Sequence, residues 1–351
     1  MKIEDILKKG VEEWASDVHF VVGVPPSLRI NGEIIFTELP PLTPEESKNL
    51  TYGILTKDQI KQFEETRELD FSFTLPDLGR FRVNVYKEKG AVESAFRVIG
   101  LKTKSLQELG LPPVVGELAS KPRGMVLISG PAGMGKTTTM AAMIDFVNET
   151  TRSRIITIED PIEYLHTHKK SVVIQREVGL SSGSDTKSFS AALIHALRQD
   201  PNIICIGEMR DLDTFSVALT AAETGHLVMG TIHTPGSIQT ISRIADVFPP
   251  YQQQQVRIQL ADTLVGVISQ ILLPKFNGEG RVLATEILVC TPAISHLIRE
   301  NKLEQIATHI QTGAALGMHM MDESLKELYQ TGVIDYDTAL SKAQDVKSLQ
   351  R

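Results

Sequence analysis

Cysteine is nearly absent from this 351-residue chain, and the two that occur, Cys205 and Cys290, both sit in apolar runs. That excludes a disulfide framework and a CxxC metal site, and it predicts buried free thiols. Aromatic residues make up only 5% of the chain. No basic, aromatic-rich strand face of the kind that stacks single-stranded nucleic acid is evident. Positive charge is short too: 36 Lys and Arg against 43 Asp and Glu give a formal net charge of −7. Such a chain has no general electrostatic pull toward nucleic acid or an anionic membrane, and no nucleic-acid partner is expected. No stretch approaches the roughly 18 apolar residues of a membrane span. Met1-Lys2-Ile3-Glu4-Asp5 lacks the apolar core of a signal peptide, so a cytoplasmic location is expected. Repeats and low-complexity tracts are also missing.

What remains is an ordinary globular composition, 42% hydrophobic and 23% charged, long enough for about two domains. The strongest signal is Ser129-Gly130-Pro131-Ala132-Gly133-Met134-Gly135-Lys136-Thr137-Thr138, which satisfies G-x-x-x-x-G-K-[ST] through Gly130, Gly135, Lys136 and Thr137. The apolar run Met125–Ile128 before it reads as a buried strand. Met140, Met143, Ile144 and Val147 after it recur at helical spacing. Strand, glycine loop and helix form the order that points backbone N–H groups and a helix N-terminus at phosphate. In that setting Lys136 places its charge on the β/γ oxygens and Thr137 gives its hydroxyl to Mg²⁺.

Residues 1–99 read as a small α+β unit. Ile3, Ile6, Leu7 and Val11 lie at helical spacing, residues 16–22 are strand-like, and Asn31-Gly32 marks a hairpin. Thr43-Pro44-Glu45-Glu46 predicts the start of a second helix. Two strands close the unit. In the first, Phe81, Val83 and Val85 face one way and Arg80, Arg82 and Asn84 the other; in the second, Phe96 and Val98 oppose Arg97. The arginine-bearing face is either solvated or a site for an anion. Residues 100–113 gain Gly and Pro and read as a linker. From 114 to about 291, buried strands alternate with helices, as in a parallel α/β sheet. Beyond Pro292 the pattern is wholly helical.

The predicted strands end in polar groups: the glycine loop, then Glu159/Asp160/Glu163, then Glu208, then His233. Open parallel sheets bind ligands at the carboxyl ends of their strands, so these side chains are expected to converge on the nucleotide phosphates. An acid in such a place holds Mg²⁺ or orients attacking water; here Glu208 stands where Asp is more usual. Glu163 and Glu208 are the candidates for both tasks. His166 and His168 follow a turn and are expected at the surface.

Several segments resemble motifs of the type II/type IV secretion ATPases. They are Ile158–Glu163, Gln175–Gly179, Ala196–Pro201, Gly207–Asp211 and Ala221–Thr234. In particular they look like the type IV pilus retraction ATPases, the PilT family, and the likeness runs from Ala15 through the C-terminal helices. The resemblance implies a RecA-like P-loop NTPase core (114–291), an N-terminal PAS-like α+β domain (1–99) and a C-terminal helical extension (292–351). It implies ATP and Mg²⁺ as ligands. Residues Gly130–Thr138 correspond to the Walker A loop, Glu159–Glu163 to the Asp box, Glu208 to an atypical Walker B, and His226 and His233 to the His box. Arg82 and Arg97 fall in the strands from which the family's N-terminal domain supplies arginines to the nucleotide, which favours the anion-binding reading of that face. The family forms homohexameric rings at the inner face of the inner membrane, bound to a polytopic platform protein, and a paralogous retraction ATPase is a further implied partner.

Other members drive extension or secretion, with a longer N-terminal region and a tetracysteine zinc site that two cysteines cannot supply. A nucleic-acid translocase on a RecA-like core and an ATP-binding regulatory subunit are the remaining alternatives. Two departures from the family pattern stand out. The Gly179–Thr186 loop is a few residues longer than usual, and Ser295-His296 replaces Arg-Asn in an Ala-Ile-Arg-Asn-Leu-Ile-Arg-Glu motif.

Overall fold

Thr43 and Glu46 close a reciprocal capping box, and with Pro44 in the first turn they start a helix where the sequence predicts one. The structure, a computed structural model, describes residues 2–30, 32–75, 78–99, 103–179, 184–278 and 280–349. Outside them lie Asn31 of the predicted hairpin, Gly100–Lys102 of the predicted linker and Leu180–Gly183 of the long loop. The chain divides into two units: residues 1–102 with 161–165 and 177–187, and residues 103–160, 166–176 and 188–351.

In the first unit the order is α1 (Ile3–Glu12), β1 (Asp17–Phe20), β2 (Ser27–Ile30), β3 (Glu33–Phe36), α2 (Pro44–Tyr52), α3 (Lys57–Thr66), β4 (Glu68–Leu75), β5 (Gly79–Glu88) and β6 (Ala91–Ile99). The strands form one antiparallel sheet in the order β3-β2-β1-β6-β5-β4. The alternation read from β5 is realised: Phe81, Val83 and Val85 are fully buried while Arg82 is exposed. Phe20, Phe81 and Phe96 meet edge to face over this core, each worth roughly 1.5–3 kcal/mol of burial. Strand β4 was not predicted, although Leu69 and Phe71 carry the same period of two into its buried face. Glu177 belongs to this unit, and its carboxylate accepts from Ser72 Oγ at 2.6 Å, Arg80 Nη2 at 2.8 Å and the Ile162 N–H at 3.1 Å. Arg80 is thereby committed to a largely buried ion pair rather than to the exposed face.

In the second unit the order is α4 (Pro113–Ala119), β7 (Gly124–Ser129), α5 (Lys136–Thr150), β8 (Arg154–Glu159), β9 (Val172–Glu177), α6 (Phe189–Ala196), β10 (Ile203–Ile206), α7 (Leu212–Glu223) and β11 (Leu227–Ile232). There follow α8 (Ser237–Asp246), α9 (Pro250–Thr263), β12 (Leu264–Pro274), β13 (Arg281–Val289) and the helices α10 (Pro292–Arg299), α11 (Ile306–Gln311), α12 (Met321–Gln330), α13 (Tyr336–Lys342) and α14 (Val346–Leu349). The sheet runs β13-β12-β7-β11-β10-β8-β9, with β12, β7, β11, β10 and β8 parallel and β13 antiparallel to β12. The long β12–β13 hairpin was not foreseen. It carries the C-terminal helices, whose Met321 and Leu325 pack with Leu273 and Ala284. In α10, Ile294, Leu297 and Ile298 are buried while His296, one of the two altered motif positions, is exposed. Among the described residues, no helix is long and apolar enough to cross a membrane.

Of the two histidines expected at the surface, His168 is exposed, but His166 is not. Its Nδ1 is sealed from solvent without a hydrogen-bond partner. Burial holds the imidazole down at about 4, from an ordinary 6.5, against the opposing pull of Asp145. Because the unfolded chain then binds more protons, stability is complete above pH 6.5 and is lost as pH falls toward 4. His166 alone should cost roughly 3 kcal/mol across that interval. Urea unfolding at pH 7 and pH 4.5 checks this: His166→Leu should lose distinctly less stability on acidification than the wild type. An equal loss in both would refute the assignment.

Candidate nucleotide-binding site

Strand β7 leaves the core at Ser129, and the loop that follows turns on glycines. Gly130 sits at φ 145°, Gly133 at 76° and Gly135 at 79°. At Gly130 the constraint is also one of space, because a Cβ there would lie 2.3 Å from the Gln270 carbonyl oxygen of β12. Pro131, Ala132 and Gly133 form the exposed tip, and Met134 and Gly135 return the chain to α5. The unpaired N–H groups and dipole of that helix start make the loop a site for anionic oxygen.

Lys136 opens α5 and is only 6% exposed. Its ammonium donates to Gly130 O at 2.7 Å, to Pro131 O at 2.8 Å and to His233 Nδ1 at 3.1 Å. Desolvation lowers its proton affinity, and the Glu208 charge works the other way. Thr137 and Thr138 follow in the same turn, half-buried.

The strand order explains who meets this lysine. Beside β7 comes β11, which ends at Ile232 just before His233, then β10, which ends at Ile206 two residues before Glu208, then β8, which ends at Glu159. His233 therefore stands between the loop and the acid, with Nε2 at 2.9 Å from Glu208 Oε1. Lysine offers only donors, so Nδ1 must accept and the imidazole proton resides on Nε2, which donates to the carboxylate. Burial and the Lys136 charge outweigh Glu208 and keep the ring below its ordinary pKa, in the neutral form this chain requires. Arg210 Nε bonds the same Glu208 oxygen, and that contact raises the guanidinium pKa further. Lys136, His233, Glu208 and Arg210 thus form one continuous polar chain.

Other predicted residues are placed differently. Glu159 lies at its strand end but is buried, accepting from Thr157 Oγ1 at 2.6 Å and Gln175 Nε2 at 3.2 Å. His226 precedes β11, and its Nδ1 faces Ala221 O at 2.9 Å. The six residues of β11 separate it from His233 by about 20 Å, so this subunit's own fold does not bring His226 to the loop. Glu163 is exposed and belongs to the N-terminal unit. Arg82 and Arg97 belong to that unit too, directly opposite each other on β5 and β6, both exposed. Arg97 Nε reaches Asp17 Oδ1 at 3.0 Å. Sequence reasoning missed two residues in contact with the site, Arg210 and Gln270. The signal for Gln270 was present: Ser269-Gln270 is a polar pair inside an otherwise apolar strand.

A largely parallel sheet with a glycine loop after an inner strand, a lysine in the helix start and an acid and a histidine just past neighbouring strand ends defines a P-loop nucleotide hydrolase. Residues 89–334 match the family described as "Type II/IV secretion system protein". The chain is 47% identical over 344 residues to the "Type IV pilus retractation ATPase PilT" of Pseudomonas aeruginosa, covering 98% of each. It is 46% identical to a "Twitching motility protein" of Neisseria gonorrhoeae, covering 92% of this chain and 86% of that one. Among solved structures it resembles the "Pilus Retraction Motor PilT and Bound ADP", with a TM-score of 0.91 at 48% identity, over 100% of this chain and 99% of the other. The chain belongs to the type II/IV secretion ATPase family, and it is an ATPase of the PilT kind.

The strand-end geometry predicts a separation of binding from turnover. Glu208→Gln keeps the shape of the carboxylate and removes its charge. ATP should still bind, while single-turnover hydrolysis falls by a factor on the order of 10² or more. Hydrolysis at the wild-type rate would remove Glu208 from the chemistry and turn attention to Glu163→Gln.

Proposed function

We propose that this chain is the subunit of a hexameric motor whose ATP hydrolysis powers type IV pilus retraction, and hence twitching motility. The observation that carries the proposal is the Lys136–His233–Glu208 chain at the carboxyl ends of adjacent strands, in a fold with full-length likeness to a pilus retraction ATPase. The phosphates of ATP lie in the loop Gly130–Thr138, with Lys136 on the β/γ oxygens. Entry of phosphate gives the ammonium a better acceptor than the carbonyls of Gly130 and Pro131, and frees His233 Nδ1. That links occupancy of the loop to the carboxylate at the other end of the imidazole.

Mg²⁺ fits the donors at hand, the Thr137 hydroxyl and the Glu208 carboxylate, both hard oxygens. The remaining ligands of such an ion would come from phosphates and water. When bound, Mg²⁺ neutralises charge on the phosphates. Glu208 would organise it, Glu163 is the second candidate to act on water, and Glu159 supports the end of β8. His226 is assigned to the nucleotide site only across a subunit boundary, since its own chain holds it elsewhere.

The paired arginines support the ring. Like charges directly opposite on a ladder destabilise a sheet, and Arg82 faces Arg97, which is itself ion-paired to Asp17. A phosphate brought to this face relieves the repulsion. We assign residues 1–99 as the PAS-like domain, 100–113 as linker, 114–291 as the RecA-like domain and 292–351 as the helical extension. The N-terminal domain of one subunit faces the nucleotide of the next. The ring works at the cytoplasmic face of the inner membrane on the pilus platform protein, with a paralogous ATPase as a further partner.

Two outcomes test this. Lys136→Ala should bring steady-state ATP turnover to background while leaving the melting temperature near wild type, because a phosphate-directed charge is lost and no core packing. Normal turnover by the folded variant rules out the loop assignment. Arg82→Ala and Arg97→Ala should each cost turnover about 10³-fold or more, as for cations at a transferring phosphate. Mixed rings of Lys136→Ala and Arg97→Ala subunits should regain part of the activity, since some interfaces then pair an intact lysine with an intact arginine. Full activity of both single arginine variants would leave that face merely solvated.

A further inference from the structure

Strand β7 stops at Ser129, opposite Ser269, while β12 runs on to Pro274. Beyond Ser269 the edge of β12 has no strand beside it on that side, and the phosphate loop takes the place. Gly130 packs against the Gln270 carbonyl, and the Leu272 N–H points at Met134 Sδ, 3.3 Å away. The fully buried Gln270 carboxamide spans the loop: Nε2 donates to Met134 O at 2.6 Å, and Oε1 accepts from Thr139 Oγ1 at 2.8 Å. One side chain thus ties the returning arm of the loop to the first turn of α5, through a buried bond to Thr139 and a part-buried one to Met134.

We propose that Gln270 is a positioning residue that fixes the curvature of the phosphate loop before nucleotide arrives. The proposal rests on the loop being the ATP site. The glycines that let the loop turn also leave it free to adopt other turns, since none of them favours one sign of φ. An anion cradle of backbone N–H groups is useful only if its geometry is preset to within about 0.5 Å. Gln270 supplies that restriction from outside the motif. Removing it leaves the Met134 carbonyl and the Thr139 hydroxyl without their buried partner.

The test uses the full-length chain with a non-hydrolysable ATP analogue, titrated calorimetrically against wild type, Gln270→Leu, Thr139→Val and Lys136→Ala. Gln270→Leu keeps similar volume and loses both bonds; its dissociation constant should rise about tenfold or more, each decade being 1.4 kcal/mol. Thr139→Val loses one bond and should show a smaller rise. In turnover, KM should follow the dissociation constant while kcat at saturation changes less than KM, a split that simple destabilisation does not produce. A folded Gln270→Leu protein with wild-type affinity overturns the proposal. Should that variant not fold, Thr139→Val decides, and unchanged affinity there overturns it equally. Wild-type affinity in Lys136→Ala would instead sink the reading of the loop as the ATP site. Loss of binding in Lys136→Ala beside intact binding in Gln270→Leu would sink only the role of Gln270.

Discussion

A lysine ammonium at the start of α5 has lost most of its water, and the surrounding structure answers that cost. An unpaired charge of this kind in a protein interior is worth several kcal/mol against folding. Here two loop carbonyls and an imidazole nitrogen take the place of solvent, and Glu208, bonded to the far nitrogen of that imidazole, supplies the opposing charge. None of these groups holds Lys136 as strongly as a polyphosphate would, because neutral acceptors bind an ammonium less tightly than ionised ones. A phosphate would therefore be a better partner for Lys136 than any group the chain itself supplies.

The same requirement explains the glycines and the hairpin. A loop whose N–H groups face inward must expose some of its outer surface, and that surface has to be packed without side chains at the tightest point. Gly130 meets the β12 backbone at a distance no Cβ could share. The hairpin that covers the loop also carries the C-terminal helices through Leu273 and Ala284. The same pair of strands therefore touches both the phosphate loop and the helical extension. In the N-terminal unit, Arg80 is held by Glu177 while Arg82 and Arg97 remain exposed across from each other. Three arginines on the polar faces of two neighbouring strands thus divide into one held in a largely buried ion pair and two left exposed, Arg97 with Asp17 as its partner.

The sequence alone determined the elements whose causes are local. The phosphate loop, its flanking strand and helix, the capping box at Thr43, the alternation in β5 and the acids and histidine at strand ends follow from residue spacing, because period, capping and turn chemistry act over a few residues. Only the tertiary structure decided which strand lies next to which. The order β12-β7-β11-β10-β8 places His233 between Lys136 and Glu208, leaves His226 at the opposite end of β11, and brings Gln270 from 131 residues beyond Thr139 to bond it. It also sealed the Nδ1 of half-buried His166 from solvent, although the residue's neighbours in sequence read as surface. These outcomes depend on contacts between distant segments. Periodicity carries no record of them, because a strand shows the same pattern whichever neighbour it pairs with.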